Sequence, residues 1–124
     1  MKAVELSLHA LDACDTVFGH LHMWNDVRKA MVPMIEQSNS SRDAMVTDKV
    51  AATKFVISVV ARYVEQQIGT GNFHVYRGTL GLHGQSVRHI AETALSYLEE
   101  NGAISHDSYM MRLERLGRTV EGRG

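Results

Sequence analysis

The chain carries one cysteine, one proline and one tryptophan among 124 residues, and only 6% of it is aromatic. The single cysteine, Cys14, excludes an intrachain disulfide and fits a reducing compartment. One proline removes the Pro-rich classes, and ten glycines without a strict period remove collagen-like ones. Charge of one sign is missing as well: 13 basic residues against 14 acidic ones leave a formal net charge of -1. No strong field therefore favours DNA, RNA or an anionic membrane. Long hydrophobic runs are also absent. The most apolar stretch, Phe55 to Ala61, is broken by Ser58 and falls well short of the ~18 residues a membrane span needs. Glu5, His9 and Asp12 interrupt any signal-like apolar core near the start, so a cytoplasmic protein with no membrane partner is expected.

What remains is 44% hydrophobic and 22% charged, enough apolar material for one folded domain over residues 1–124. Its arrangement is helical. Val4, Leu8, Leu11, Cys14, Phe18, Leu21, Trp24, Met31 and Ile35 keep mostly three- and four-residue spacing, the stripe of an amphipathic helix. Gly19 and the Asn25-Asp26 neighbourhood are expected to divide it, and Pro33 to kink or end it. After the polar stretch 37–43, Ser40 and Asp43 resemble a capping box, and a second helix is expected to about Ile68. Its stripe is Val46, Val50, Thr53, Ile57, Val60, Val64 and Ile68. The β-branched run Phe55–Val60 also suits a buried strand, but 23 residues without Gly or Pro and a sustained helical period favour helix. Met45, Phe55, Val56, Val59 and Tyr63 lie off that stripe, which predicts burial on several sides or a subunit interface.

Phe73–Arg77 alternates like a short strand. A third helix is expected from an N-cap at Ser86, with Val87, Ile90, Ala91, Ala94, Leu95 and Leu98 inward and a stop at Asn101-Gly102. Ser105 should cap a fourth helix, with Ile104 and Tyr109 spaced as a hydrophobic staple and Met110, Leu113 and Leu116 on its apolar side. Residues 117–124 read as a tail. The expected fold is mainly α: a bundle of four or five helices with at most a short β element around residues 73–82.

For chemistry, the segment from His74 to His89 stands out. It combines His74, Arg77, Gly78, Gly81, Gly84, Arg88 and His89 ahead of a helix. Glycines there let backbone N–H groups approach an anion, and arginine forks can hold phosphate or carboxylate oxygens. A histidine in such a place can act as acid or base near neutral pH. The Gly78-x-x-Gly81-x-x-Gly84 spacing matches neither the dinucleotide fingerprint nor the P-loop, so a tight connection that merely needs glycine is the commoner explanation. Tyr76-Arg77-Gly78 resembles the Tyr-Arg-Gly piece of the ADP-ribosyltransferases. The Ser-Thr-Ser strand and Glu-x-Glu loop of that family have no counterpart here, and the resemblance is set aside.

Other constellations are weaker. His9/Asp12, His22/Asp26 and His89/Glu92 have helical spacing, but the order reverses that of di-iron bundles and surface ion pairs explain them better. His20 and His22 point apart on a helix, and Trp24 suits the core or an interface. Neither a metal nor a cofactor is expected. Seven methionines can fill core gaps, their commoner use, or line an adaptable surface. The last two helices have helix-turn-helix length, with Arg112, Arg115 and Arg118 at three-residue steps, though a near-neutral chain argues against nucleic acid. The sequence therefore favours a non-catalytic helical binding protein, homodimeric through Val46–Ile68, with the N-terminal helix as a further candidate for the contact. An enzyme or sensor for a small phosphorylated or carboxylated ligand is the alternative, and DNA binding through the C-terminal pair a second one.

Overall fold

The computed structural model describes residues 2–37, 40–69, 75–76, 79–80 and 82–121, with side chains for most of them. Six helices are present among these residues: α1 (Ala3–Phe18), α2 (Trp24–Glu36), α3 (Ser40–Met45), α4 (Lys49–Gly69), α5 (Leu82–Glu100) and α6 (His106–Glu121). A two-residue antiparallel ladder joins β1 (Val75–Tyr76) to β2 (Thr79–Leu80), with Val75 opposite Leu80 and Tyr76 opposite Thr79. The expected mainly α bundle with a small β element is present, with more helices than the four or five anticipated.

The first helical stretch breaks once. At Gly19 the N–H still donates to the Asp15 carbonyl (2.9 Å), Leu21 donates to Phe18 (2.8 Å), and Met23 takes a left-handed conformation (φ 73°). A side chain at 19 would bring its Cβ within 2.3 Å of the Asp15 carbonyl oxygen, so glycine is required by close approach. The segment thus divides into two helices as expected, with Asn25 and Asp26 in the first turn of the second. The helix runs through Pro33 and ends only at Glu36, where Gln37 turns extended.

The long second helix is interrupted. α3 ends at Met45, Val46 drops into the core, and the Asp48 carboxylate accepts a hydrogen bond from the Ala51 N–H (2.8 Å), capping α4. Residues 55–60 are helical. The buried face of α4 is Ala52, Val56, Ile57, Val60, Ala61, Val64 and Ile68; Val50, expected inside, is 66% exposed. This helix is the centre of the molecule, packed by α1, α2, α5 and α6. Its apolar surplus is thus covered largely by its own chain. Ser7, Ala10 and Cys14 on α1, Ala52 and Ala61 on α4, and Ala91 and Ala94 on α5 are all buried, and small side chains let neighbouring backbones approach closely. The Ser7 hydroxyl donates to the Ala3 carbonyl (2.7 Å), which satisfies it inside the core.

α5 begins at Leu82, a turn before the expected cap at Ser86, and all of the anticipated inward residues are buried. It stops in a Schellman turn: Ala103 N–H donates to Leu98 (2.8 Å) and Gly102 N–H to Glu99 (3.0 Å), with Gly102 at φ 72°. Ser105 then caps α6, its hydroxyl accepting from the Ser108 N–H (3.0 Å), while Ile104 and Tyr109 both pack on the core. On α6, Leu116 is buried and Leu113 half-buried, but Met110 points outward, contrary to expectation. The helix continues through Gly117 to Glu121, into the segment expected as a tail.

Candidate functional site

Of the residues singled out in the sequence, His74, Arg77, Gly78 and Gly81 lie outside the described residues. Gly84 sits in the first turn of α5, and Arg88 and His89 lie further along it. Neighbouring residues on a helix diverge by roughly a third of a turn. Arg88 is half-buried and its Nε lies 2.8 Å from Glu92 Oε1, one turn on, whereas His89 is exposed. The two leave the helix in different directions, and Arg88 already stands in ion-pair contact with a carboxylate, although its buried Nε makes no hydrogen bond among the described residues.

The same holds for other candidates. Arg28 bridges Asp12 and Asp15, with its Nε 3.3 Å from Asp15 Oδ1, and the Trp24 indole donates to that same oxygen (2.7 Å). Asp12 is thereby tied to Arg28 and not to His9. His106 Nδ1 lies 3.1 Å from Glu99 Oε1. Arg112 turns inward to a two-pronged pair with Glu65 on α4, its Nε donating to Oε2 at 3.0 Å. One rung of the 112/115/118 arginine ladder is thus taken up by the core edge. Among the described residues no three His, Cys, Asp or Glu side chains come close enough together to hold a metal.

Cys14 is fully buried, and its thiol is pushed up from 9.0 to about 12, first by desolvation, then by the neighbouring Asp15 charge, with Arg28 acting in the opposite sense. A thiol held protonated is a poor nucleophile. The unfolded chain ionises this group near 9.0 while the folded chain keeps its proton, so the unfolded state is increasingly favoured as pH rises from 9.0 toward about 12. We expect Tm to fall more steeply over that window in the native protein than in Cys14→Ala. At neutral pH a thiol reagent should label Cys14 only after denaturant is added.

Two surface features carry no mark in the chemistry-bearing motifs. One is a cleft of about 370 Å³ between α4 and the turn joining α5 to α6. Ala51, Lys54, Phe55 and Ser58 form its α4 wall, Met45 one side, and Gly102 with Ala103 the other. Positions 51, 54, 55 and 58 share one helix face. The off-stripe Met45 and Phe55 were its sequence signal. The other feature is the outward methionines: Met34 (39% exposed), Met45 (66%), Met110 (51%) and Met111 (46%), against one fully buried methionine, Met31. Met110, Met111 and Leu113, with Asp107 and Glu114, line an open hollow of about 670 Å³ on α6.

No described helix is long and apolar enough to cross a membrane. Comparison with known families, curated proteins and solved structures gives no match.

Proposed function

We propose that this chain is a small, non-catalytic helical binding protein that works in the cytoplasm as a homodimer. The observation that carries this reading is the distribution of methionine. Among the described residues, four of the five large apolar side chains that stand exposed are methionines, the residue whose flexible, polarizable side chain suits an adaptable contact surface. The ion-paired arginines serve the fold: Arg28, Arg88 and Arg112 each face carboxylates of the same chain. Since most of the apolar surface of α4 is covered within its own subunit, we put the dimer contact at the exposed Met110 and Met111 of α6 rather than at Val46–Ile68. A formal charge of -1 leaves two copies with little long-range repulsion. Light scattering at micromolar concentration should give twice the mass of one chain, and Met110→Lys with Met111→Lys should halve it. A native protein of single-chain mass overturns the homodimer.

A second reading places a small anionic ligand at the segment 74–89. It is favoured by the early start of α5, which puts Gly84 in a first turn whose N–H groups have no intrahelical acceptor. Inorganic phosphate or a sugar phosphate should then raise Tm, and Arg77→Ala should abolish that rise. No rise in the native protein removes this reading.

A further inference from the structure

Four cationic side chains are half-buried among the described residues: Arg28, Lys54, Arg88 and Arg112. Three of them hold carboxylates. The fourth, Lys54, makes no ion pair with any described residue, and it lines the cleft between α4 and the α5–α6 turn. One helical turn on, Ser58 faces the same cleft, and its hydroxyl has no hydrogen-bond partner among the described residues. Thr53, by contrast, spends its hydroxyl on the Lys49 carbonyl (2.9 Å). Two unspent donors thus stand four residues apart on one helix face, beside apolar walls from Phe55, Met45 and Ala103.

We infer that this cleft is a binding site for a monocarboxylate with a compact apolar body. The Lys54 ammonium and the Ser58 hydroxyl would each donate to the carboxylate, and the apolar portion would lie along Phe55 and under Met45. Three features of the cleft fit that ligand and not its relatives. The free charge is positive, so an amine is repelled. Among the described residues no acidic side chain lines the cleft. Its volume of about 370 Å³ lies near the lower end of the roughly 300–1,000 Å³ typical of small-molecule sites, which suits a short acid rather than a long lipid. The turn wall is also built to stay open. Gly102 has no side chain to project into the space, its φ of 72° disfavours acquiring one, and the Schellman hydrogen bonds at Ala103 fix the wall in place. This site is separate from the α6 contact proposed above and does not depend on the oligomeric state.

The test is a titration of the full chain, labelled for amide NMR, with octanoate below its micelle-forming range, and in parallel with phenylacetate, octanol and octylamine. Octanoate should shift the Ala51, Ser58, Gly102 and Ala103 amides; an equal or larger response to phenylacetate would assign an aromatic rather than an aliphatic acid to the same site. Octanol and octylamine should bind at least about tenfold more weakly, the loss expected when a charge-assisted hydrogen bond is removed. Lys54→Met, which keeps the stem, should weaken octanoate by a similar factor. Ala103→Leu, on an exposed turn position, should block the cleft while leaving Tm unchanged. Octanol or octylamine binding as tightly as the acids, no amide shifts at the turn, or undiminished affinity in Lys54→Met would each overturn the assignment.

Discussion

Replacing Trp24 with alanine should lower the unfolding free energy by about 3–5 kcal/mol, the usual cost of removing a large buried aromatic. The side chain is 2% exposed and stacks on Phe18 with ring centroids 4.7 Å apart and planes 26° from parallel. Its indole N–H donates to Asp15 Oδ1, the oxygen that also faces Arg28, so the ring is fixed at its polar edge as well as on its face. Loss of the ring opens the junction between α1 and α2 directly beneath the Gly19–Met23 reversal. Trp24→Phe should cost less, about 1–2 kcal/mol, because one ring still stacks on Phe18 while the donor and the second ring's packing are lost. Urea unfolding read by circular dichroism separates the cases. A Trp24→Ala protein within about 1 kcal/mol of native would show that this junction contributes little to folding.

The second large effect belongs to the Glu65–Arg112 pair. The two side chains are 20% and 14% exposed, and they tie α6 to the central α4. Glu65→Ala strands the guanidinium at the edge of the core and should cost about 2–3 kcal/mol, less than for a fully buried pair because water still reaches it. The combined Glu65→Met and Arg112→Met protein should recover to within about 1 kcal/mol of native, since apolar side chains of similar length need no counter-charge. If the double substitution is as damaging as the single one, packing of the stems, and not the stranded charge, sets the cost.

Periodicity and punctuation made α5 legible in the sequence. Val87, Ile90, Ala91, Ala94, Leu95 and Leu98 obey one helical stripe, and Gly102 and Ser105 supply chemistry that permits few alternatives at a helix end and a helix start. Legibility failed where tertiary demands overrode the local pattern. Val50 belongs to the apolar stripe of its helix but sits in the first turn of α4 and is exposed. Met110 keeps a helical spacing with Leu113, yet the inward side of α6 is set by Tyr109, Arg112, Leu113 and Leu116. Asp48, and not Ser40, starts the long helix, because a carboxylate three residues ahead of an unpaired N–H is a stronger local signal than a serine on the far side of Val46.

The candidate site was less legible than the fold. The ion pair on α5 is Arg88/Glu92, which uses the same helical geometry as a histidine–carboxylate spacing but with a permanent charge. The cleft beside Lys54 joins α4 to a turn more than forty residues away, a juxtaposition that no local pattern encodes.

The outward placement of methionine also sets how this protein ages in the presence of peroxide. A thioether at the surface is open to oxidation, and the sulfoxide it forms is polar and chiral where the native side chain was soft and apolar. Met34, Met45, Met110 and Met111 are accessible in this way, and Met31 is sealed within the bundle. Mild oxidant should therefore rewrite the wettability of these exposed positions one sulfur at a time while the scaffold beneath keeps its shape, and reductive repair of those sulfoxides should restore it.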